Sequence, residues 1–225
     1  DLTRAPGVDV DTALKIHDQA EILQEERRRE DEEAARLLSS LLPRDDLPLL
    51  EGLIRDTPCT VCGNGPNLTD ELGRIAGTVI AADGAANRLY ARGIRPGIIV
   101  TDLDGATEAF VGMNRAGTVI VVHAHGDNMP LLRSWVPRFP GPLVGTTQSR
   151  PFDRIHNFGG FSDGDRAVFL ALALGAAEVS LAGFFLESSY AGTKPFRELL
   201  IVERAVVGRA DRAFGDQVRR AARED

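Results

Sequence analysis

The chain has 225 residues, 26 Lys+Arg against 33 Asp+Glu, a formal net charge of −7, and 43 % hydrophobic residues. That composition suits a folded domain with its own core, and no basic tract interleaved with aromatics suggests a nucleic-acid partner. No apolar run approaches the roughly 20 residues that a bilayer crossing needs, so no membrane span is expected.

Residues 1–56 read as a helical N-terminal extension, with helices over 11–22 and 24–42. The charge run between Glu25 and Glu33 reads as a solvated helix face with mixed i,i+4 pairs. Its apolar stripe of Ala34, Leu37, Leu38 and Leu41 can pack on the main domain or on a second subunit, giving a homodimer. Pro43 and Pro48 are expected to break this segment.

From residue 57 to 225 the pattern becomes β then α, repeated. Strands are expected over 59–62, 79–82, 98–101, 119–122, 143–145 and 179–182. Helices are expected over 67–76, 85–93, 106–116, 129–136, 163–175 and 195–222, with a loop over 149–160. Regular βα alternation implies an α/β fold with a doubly wound, mainly parallel sheet of Rossmann-like type. The two cysteines, Cys59 and Cys62, form a CxxC with no second pair to complete a zinc site. They read as small core residues on opposite faces of a strand. Low cysteine use and a polar, acidic start favour a cytoplasmic protein.

Several apolar runs end on polar residues, which places those residues at the carboxyl edge of the sheet. In GNGPNL, the residues Gly63, Asn64, Gly65 and Asn67 follow the first strand, and a helix N-terminus there can hold phosphate or simply form a tight turn. Asp83 ends the second strand and can contact a hydroxyl or amine, or cap a helix. In VTDLDG, Asp102 and Asp104 share a side and repel each other unless a cation lies between them, which points to magnesium, the alternative being that Asp104 caps the next helix. HAHGDN carries His123, His125, Asp127 and Asn128; these suit a polar substrate or phosphate, with Asp127 a candidate third magnesium ligand, or else a transition-metal site, or capping and core hydrogen bonding. Thr146, Thr147 and Gln148 offer hydroxyls and an amide for phosphate or base recognition. Ser162 with Asp165 resembles a capping box, yet Gly159, Gly160, Asp163 and Arg166 cluster around it, and Arg166 can hold phosphate bidentately.

The order GNGPNL, ADGA, IVTDLDG, HAHGDN, GTTQ, NFGGFSDGDRA resembles the archaeal 6-hydroxymethyl-7,8-dihydropterin diphosphokinase family (MptE-like), over about residues 31–183. It is more distantly similar to thiamin diphosphokinases, in which residues placed like Asp102, Asp104 and Asp127 bind magnesium. The resemblance implies transfer of diphosphate from ATP to the pterin, with AMP as the second product, in tetrahydromethanopterin or folate biosynthesis. It implies Mg²⁺ and ATP at the site. Catalytic roles would fall to Asp83, Asp102, Asp104, His125 and Arg166, and nucleotide contacts to the GNGPNL and TTQ residues and Lys194. Pterin contacts would fall to His123, Asn128, Gly159, Gly160, Asp163 and Asp165. Where the family shows a GMDF-like segment, this chain reads GFFLE over 183–187, and its C-terminal basic cluster is reduced to Lys194 and Arg197. The alternatives are a related nucleotide-dependent transferase, a metal phosphohydrolase, or a non-catalytic nucleotide-binding module.

Overall fold

The structure is a computed structural model and describes residues 10–184, with side chains from residue 24 onward. Lys194, Arg197, the expected helix over 195–222 and the end of GFFLE lie outside the described residues.

Helix α1 spans Val10–Leu41 as one continuous helix where two segments were expected. The sequence between them holds no Pro or Gly, so nothing interrupts the backbone ladder. Helix α2, Leu47–Ile54, was not expected, because Pro48 reads as a breaker. Pro48 sits in the first turn, where a missing N–H costs nothing, and it helps start the helix.

The strands are β1 (Pro58–Cys62), β2 (Thr78–Ala82), β3 (Ile98–Thr101), β4 (Val119–Ala124), β5 (Leu143–Thr147), β6 (Ile155–His156) and β7 (Glu178–Ala182). They form one sheet in the order β6-β5-β4-β3-β2-β1-β7, and every strand pairing is parallel. The helices between them are α3 (Ala85–Tyr90), α4 (Glu108–Arg115), α5 (Met129–Trp135) and α6 (Asp163–Ala173). Residues 66–69 and 72–74 form two short 3₁₀ turns in place of the α-helix expected over 67–76. Strand β6 lies inside the expected loop.

Side chains alternate across the sheet, so each central strand feeds two cores. On one face Ala81, Ile99, Ile120 and Val122 pack with Leu38 of α1, Leu89 of α3, Phe110 of α4 and Leu132 of α5. On the other, Ile80, Ile98, Val100 and Val121 pack with Ile54 of α2 and Ala167, Leu170 and Ala171 of α6. This two-sided burial explains the unbroken Val/Ile runs. Each fully buried aliphatic side chain stabilises by roughly 1.5–3 kcal/mol relative to exposure. Cys59 falls in one core and Cys62 in the other, and burial pushes their thiols up to about 11 and about 12.

Ala34, Ala35, Leu38 and Leu42 are buried on this sheet, so the apolar stripe of α1 packs on its own domain. No helix among the described residues is long and apolar enough to cross a membrane.

Candidate active site

Strands β2 to β5 all end on one edge, and α6 starts at that edge before running over the face opposite α1. Asp83 follows β2 in the left-handed region, at φ 42°. Its Oδ1 accepts from Thr101 Oγ1 at 2.7 Å and from the Gly105 N–H at 3.2 Å. A Cβ on Gly105 would lie 2.0 Å from Asp83 Oδ2, so any larger residue there displaces that carboxylate.

Asp102 follows β3, and α6 begins at Asp163. Asp83, Asp102 and Asp163 each present a carboxylate oxygen, and these lie within 4.8 Å of one another. Their environments differ. A hydrogen bond from His125 holds Asp102 down at about 2. Burial, with Asp102 nearby, pushes Asp163 up to about 8. Asp104 borders the group: burial and the charges of Asp102 and Asp83 raise it to about 6. Asp127 is exposed and lies outside the cluster, though it lines the same cleft. Of the three expected magnesium ligands, the geometry therefore brings Asp102 into the carboxylate cluster, Asp104 to its border and Asp127 to the cleft wall.

The β4 ending is held by Asn128. Its Nδ2 donates to the carbonyls of Asp102 and His123, at 2.8 and 2.7 Å, and its Oδ1 accepts from the His125 N–H at 3.1 Å. This buried amide clasps β3 to β4, an inward role where a pterin contact was expected. His125 Nε2 lies 3.4 Å from Asp102 Oδ2. His123 is buried, with Nδ1 3.2 Å from Thr146 Oγ1. The Thr146 hydroxyl donates to the Val122 carbonyl, so Nδ1 carries the ring proton and Nε2 is a bare acceptor. Nε2 has no partner among the described residues, and burial holds His123 well below the usual imidazole range. Thr147 bonds Ser149.

The loop before α6 divides the expected residues. Asp165 accepts from the N–H groups of Phe161, Ser162 and Arg166 and from Ser162 Oγ, so it is the reciprocal half of a capping box whose N-cap is Ser162. Gly160 has φ 95°, and a Cβ there would press within 2.7 Å of Arg166. Gly159 lies beside His123 and Arg166 in a small recess behind the cleft. Arg166 is largely buried, 3.9 Å from Asp163 Oδ1 and 3.3 Å from Gln148 Oε1.

The GNGPNL loop packs against the end of β7. The Gly63 and Gly65 N–H groups donate to the Ala182 and Gly183 carbonyls. A Cβ on Gly65 would lie 2.4 Å from Gly183 O, so this glycine serves close packing. Arg88 of α3 donates to the carbonyls of Asn64 and Gly65, at 3.1 and 2.6 Å. Asn67 Nδ2 donates to the Phe184 carbonyl at 3.2 Å. Close glycine packing explains the motif without an anion.

Asp102, His125, Asp127, Gln148 and Arg166 wall a cleft of about 380 Å³, closed on one side by Arg27 and Asp31. Arg27 and Asp31 come from α1 and were hidden in the charge run. The Asp31 carboxylate accepts the Gly126 N–H at 2.9 Å and Gln148 Nε2 at 2.6 Å. An Asp four places after an Arg on the face that carries Ala34 and Leu38 was the available signal.

Fold and cleft define an open parallel α/β protein with a carboxylate-rich site at the carboxyl edge of its strands. The chain belongs to the MptE-like family: the model described as "6-hydroxymethylpterin diphosphokinase MptE-like" matches residues 35–189. It is similar to three curated proteins named 6-hydroxymethyl-7,8-dihydropterin pyrophosphokinase. The one from Methanothermobacter thermautotrophicus is 53 % identical over 128 residues, 55 % of each chain. The one from Pyrococcus furiosus is 45 % identical over 157 residues, 67 % of each chain. The one from Methanocaldococcus jannaschii is 39 % identical over 147 residues, 60 % of this chain and 61 % of that one. The match thus spans between about half and two thirds of the relatives' length.

Proposed function

We propose that this chain transfers diphosphate from ATP to 6-hydroxymethyl-7,8-dihydropterin, giving AMP and the pterin diphosphate. The observation that carries the reading is the meeting of Asp83, Asp102 and Asp163 beside His125 and Arg166, in a chain of the MptE-like family. The pterin and the reaction come from the names of its relatives.

The donor set fits magnesium, a hard cation that takes oxygen ligands. Asp163 Oδ1 is buried with no hydrogen-bond donor, and Asp163 and Asp104 are raised toward neutrality, a penalty that a cation would remove. Asp83, Asp102 and Asp163 would hold the ion, with Asp104 at its edge. Bound there, magnesium would supply a bridge between phosphate oxygens and neutralise their charge.

The protein's own task is positioning and charge stabilisation. The Arg166 guanidinium points donors at the phosphates crossing the cleft, and Arg27 adds a second positive charge at its wall. The acceptor hydroxymethyl oxygen attacks the β-phosphorus and AMP departs. His125 takes the hydroxyl proton, and Asp102 beside it stabilises the imidazolium that results. The bare Nε2 of His123 offers an acceptor to an N–H of a bound ring.

The test is to incubate the protein with ATP, magnesium and the pterin and to follow the nucleotides by phosphorus NMR. AMP rising together with a pterin diphosphate supports the reading. ADP or free phosphate would replace it with a phosphotransferase or a hydrolase.

A further inference from the structure

A hydrogen-bonded chain runs from α1 into the centre of the cleft. Asp31 Oδ2 accepts Gln148 Nε2 at 2.6 Å, and Gln148 Oε1 accepts Arg166 Nη2 at 3.3 Å. The Arg166 Nη1 atom lies 3.9 Å from Asp163 Oδ1. The other Asp31 oxygen is occupied by the Gly126 N–H at 2.9 Å, so Asp31 joins the loop after β4 to the residue after β5. We propose that Asp31 is a positioning residue: by accepting from Gln148, it fixes which way that amide faces and so aims the Arg166 guanidinium at the phosphates.

The reasoning is donor and acceptor counting. An Asp31 carboxylate has only acceptors, so Gln148 must turn its NH₂ to α1 and its oxygen to Arg166. Arg166 has only donors, so this is the single amide orientation that satisfies both neighbours. The long charged helix therefore supplies a working part of the cleft. Asp31 also lies outside the stretch that the family model matches, which begins at residue 35.

Asp31→Asn is nearly isosteric and breaks the logic. Whichever way the two amides turn, one pair of donors meets: the introduced amide with Gln148, the introduced amide with the Gly126 N–H, or Gln148 with Arg166. Adding Gln148→Glu restores every donor to an acceptor and leaves the net charge of the pair unchanged. Gln148→Glu alone sets two carboxylates against each other.

The experiment measures polyphosphate affinity by calorimetry, using a non-hydrolysable ATP analogue, together with kcat, KM and melting temperature. Asp31→Asn and Gln148→Glu should each weaken analogue binding by about threefold to tenfold, the scale of one mispaired hydrogen bond at a water-accessible site. The double variant should return to near wild type. In an Arg166→Ala background, Asp31→Asn should cost no further affinity, because its effect passes through Arg166. An undiminished cost in that background, or a double variant no better than Asp31→Asn, would overturn the proposal. The role given to Arg166 rests on the phosphoryl-transfer reading. The binding measurement needs no turnover, so wild-type protein that binds the analogue but forms no pterin diphosphate would count against that reading and leave the chain of contacts testable.

Discussion

The Nε2 atom of His125 lies 3.4 Å from Oδ2 of Asp102, joining the ends of β3 and β4 where the carboxylates converge. This contact holds the Asp102 carboxyl down at about 2 while Asp104 and Asp163 beside it are raised, so Asp102 is fully ionised at neutral pH.

Removing Asp102 should therefore remove the reaction while sparing the fold. Asp102→Asn is expected to lower kcat by at least about a thousandfold, on the scale of losing a main electrostatic element of such a site. The melting temperature should stay within a few degrees, since the Asp102 carbonyl bonded by Asn128 is backbone. AMP release in steady state checks this; turnover within about tenfold of wild type would refute the ligand assignment.

Asp163 sets a pH dependence. Its folded pKa of about 8 lies above the unfolded value of 3.8, so the folded state binds a proton that the unfolded state has lost between them. That contribution is complete below the unfolded pKa and is lost as pH rises through about 8. Metal-free protein should lose melting temperature from this group between roughly pH 4 and 9, and Asp163→Asn should flatten the decline. Added magnesium should stabilise more at about pH 9 than at about pH 6, because its ligand must be ionised. Thermal melts across that range decide the matter.

Gly105 controls where Asp83 can sit. A methyl group there would meet Asp83 Oδ2 at 2.0 Å, so Gly105→Ala must push the carboxylate aside. The magnesium concentration needed for half-maximal rate should rise severalfold with little change in urea midpoint. An unchanged requirement would place Asp83 outside the metal shell.

Asn128 should behave as a structural residue. Asn128→Ala takes the donor from one buried and one part-buried carbonyl and is expected to cost about 3 kcal/mol. In a chain of this size that lowers the melting temperature by roughly 6–12 °C. At a temperature where the variant is folded, its KM for the pterin should match wild type.

The two cysteines should be inert. With thiols raised to about 11 and about 12, neither is ionised at neutral pH. Iodoacetamide at neutral pH should label neither in the native state and both after denaturation, as mass spectrometry would show.

The strand ends were readable because each central strand is buried on both faces and must be an apolar run before it turns polar. Strand β6, with two residues, is too short to leave a pattern, and Pro48 carries the same letter whether it ends a helix or begins one. Asp102 was legible for the same reason that its cluster was not. Spacing along the chain pairs it with Asp104, while the fold pairs it with Asp83 and Asp163, from β2 and α6. Asp165 shows the converse: its cap was visible in the sequence, and the cap uses the hydrogen bonds that a substrate would need. Asp31 stayed hidden because one carboxylate in a charge run looks like its neighbours until β4 and β5 are laid against it.

The sheet order also fixes a timetable. Strand β1 pairs with β2 early in synthesis, but its other side waits for β7, which begins only at Glu178. Until then PCTVC is an open edge, and such edges invite association with other chains. The Gly63–Gly65 turn is shaped by carbonyls at the end of β7, so this early loop takes its form only after β7 is made. A nascent chain of this fold therefore carries one unpaired edge at β1 until β7 is made.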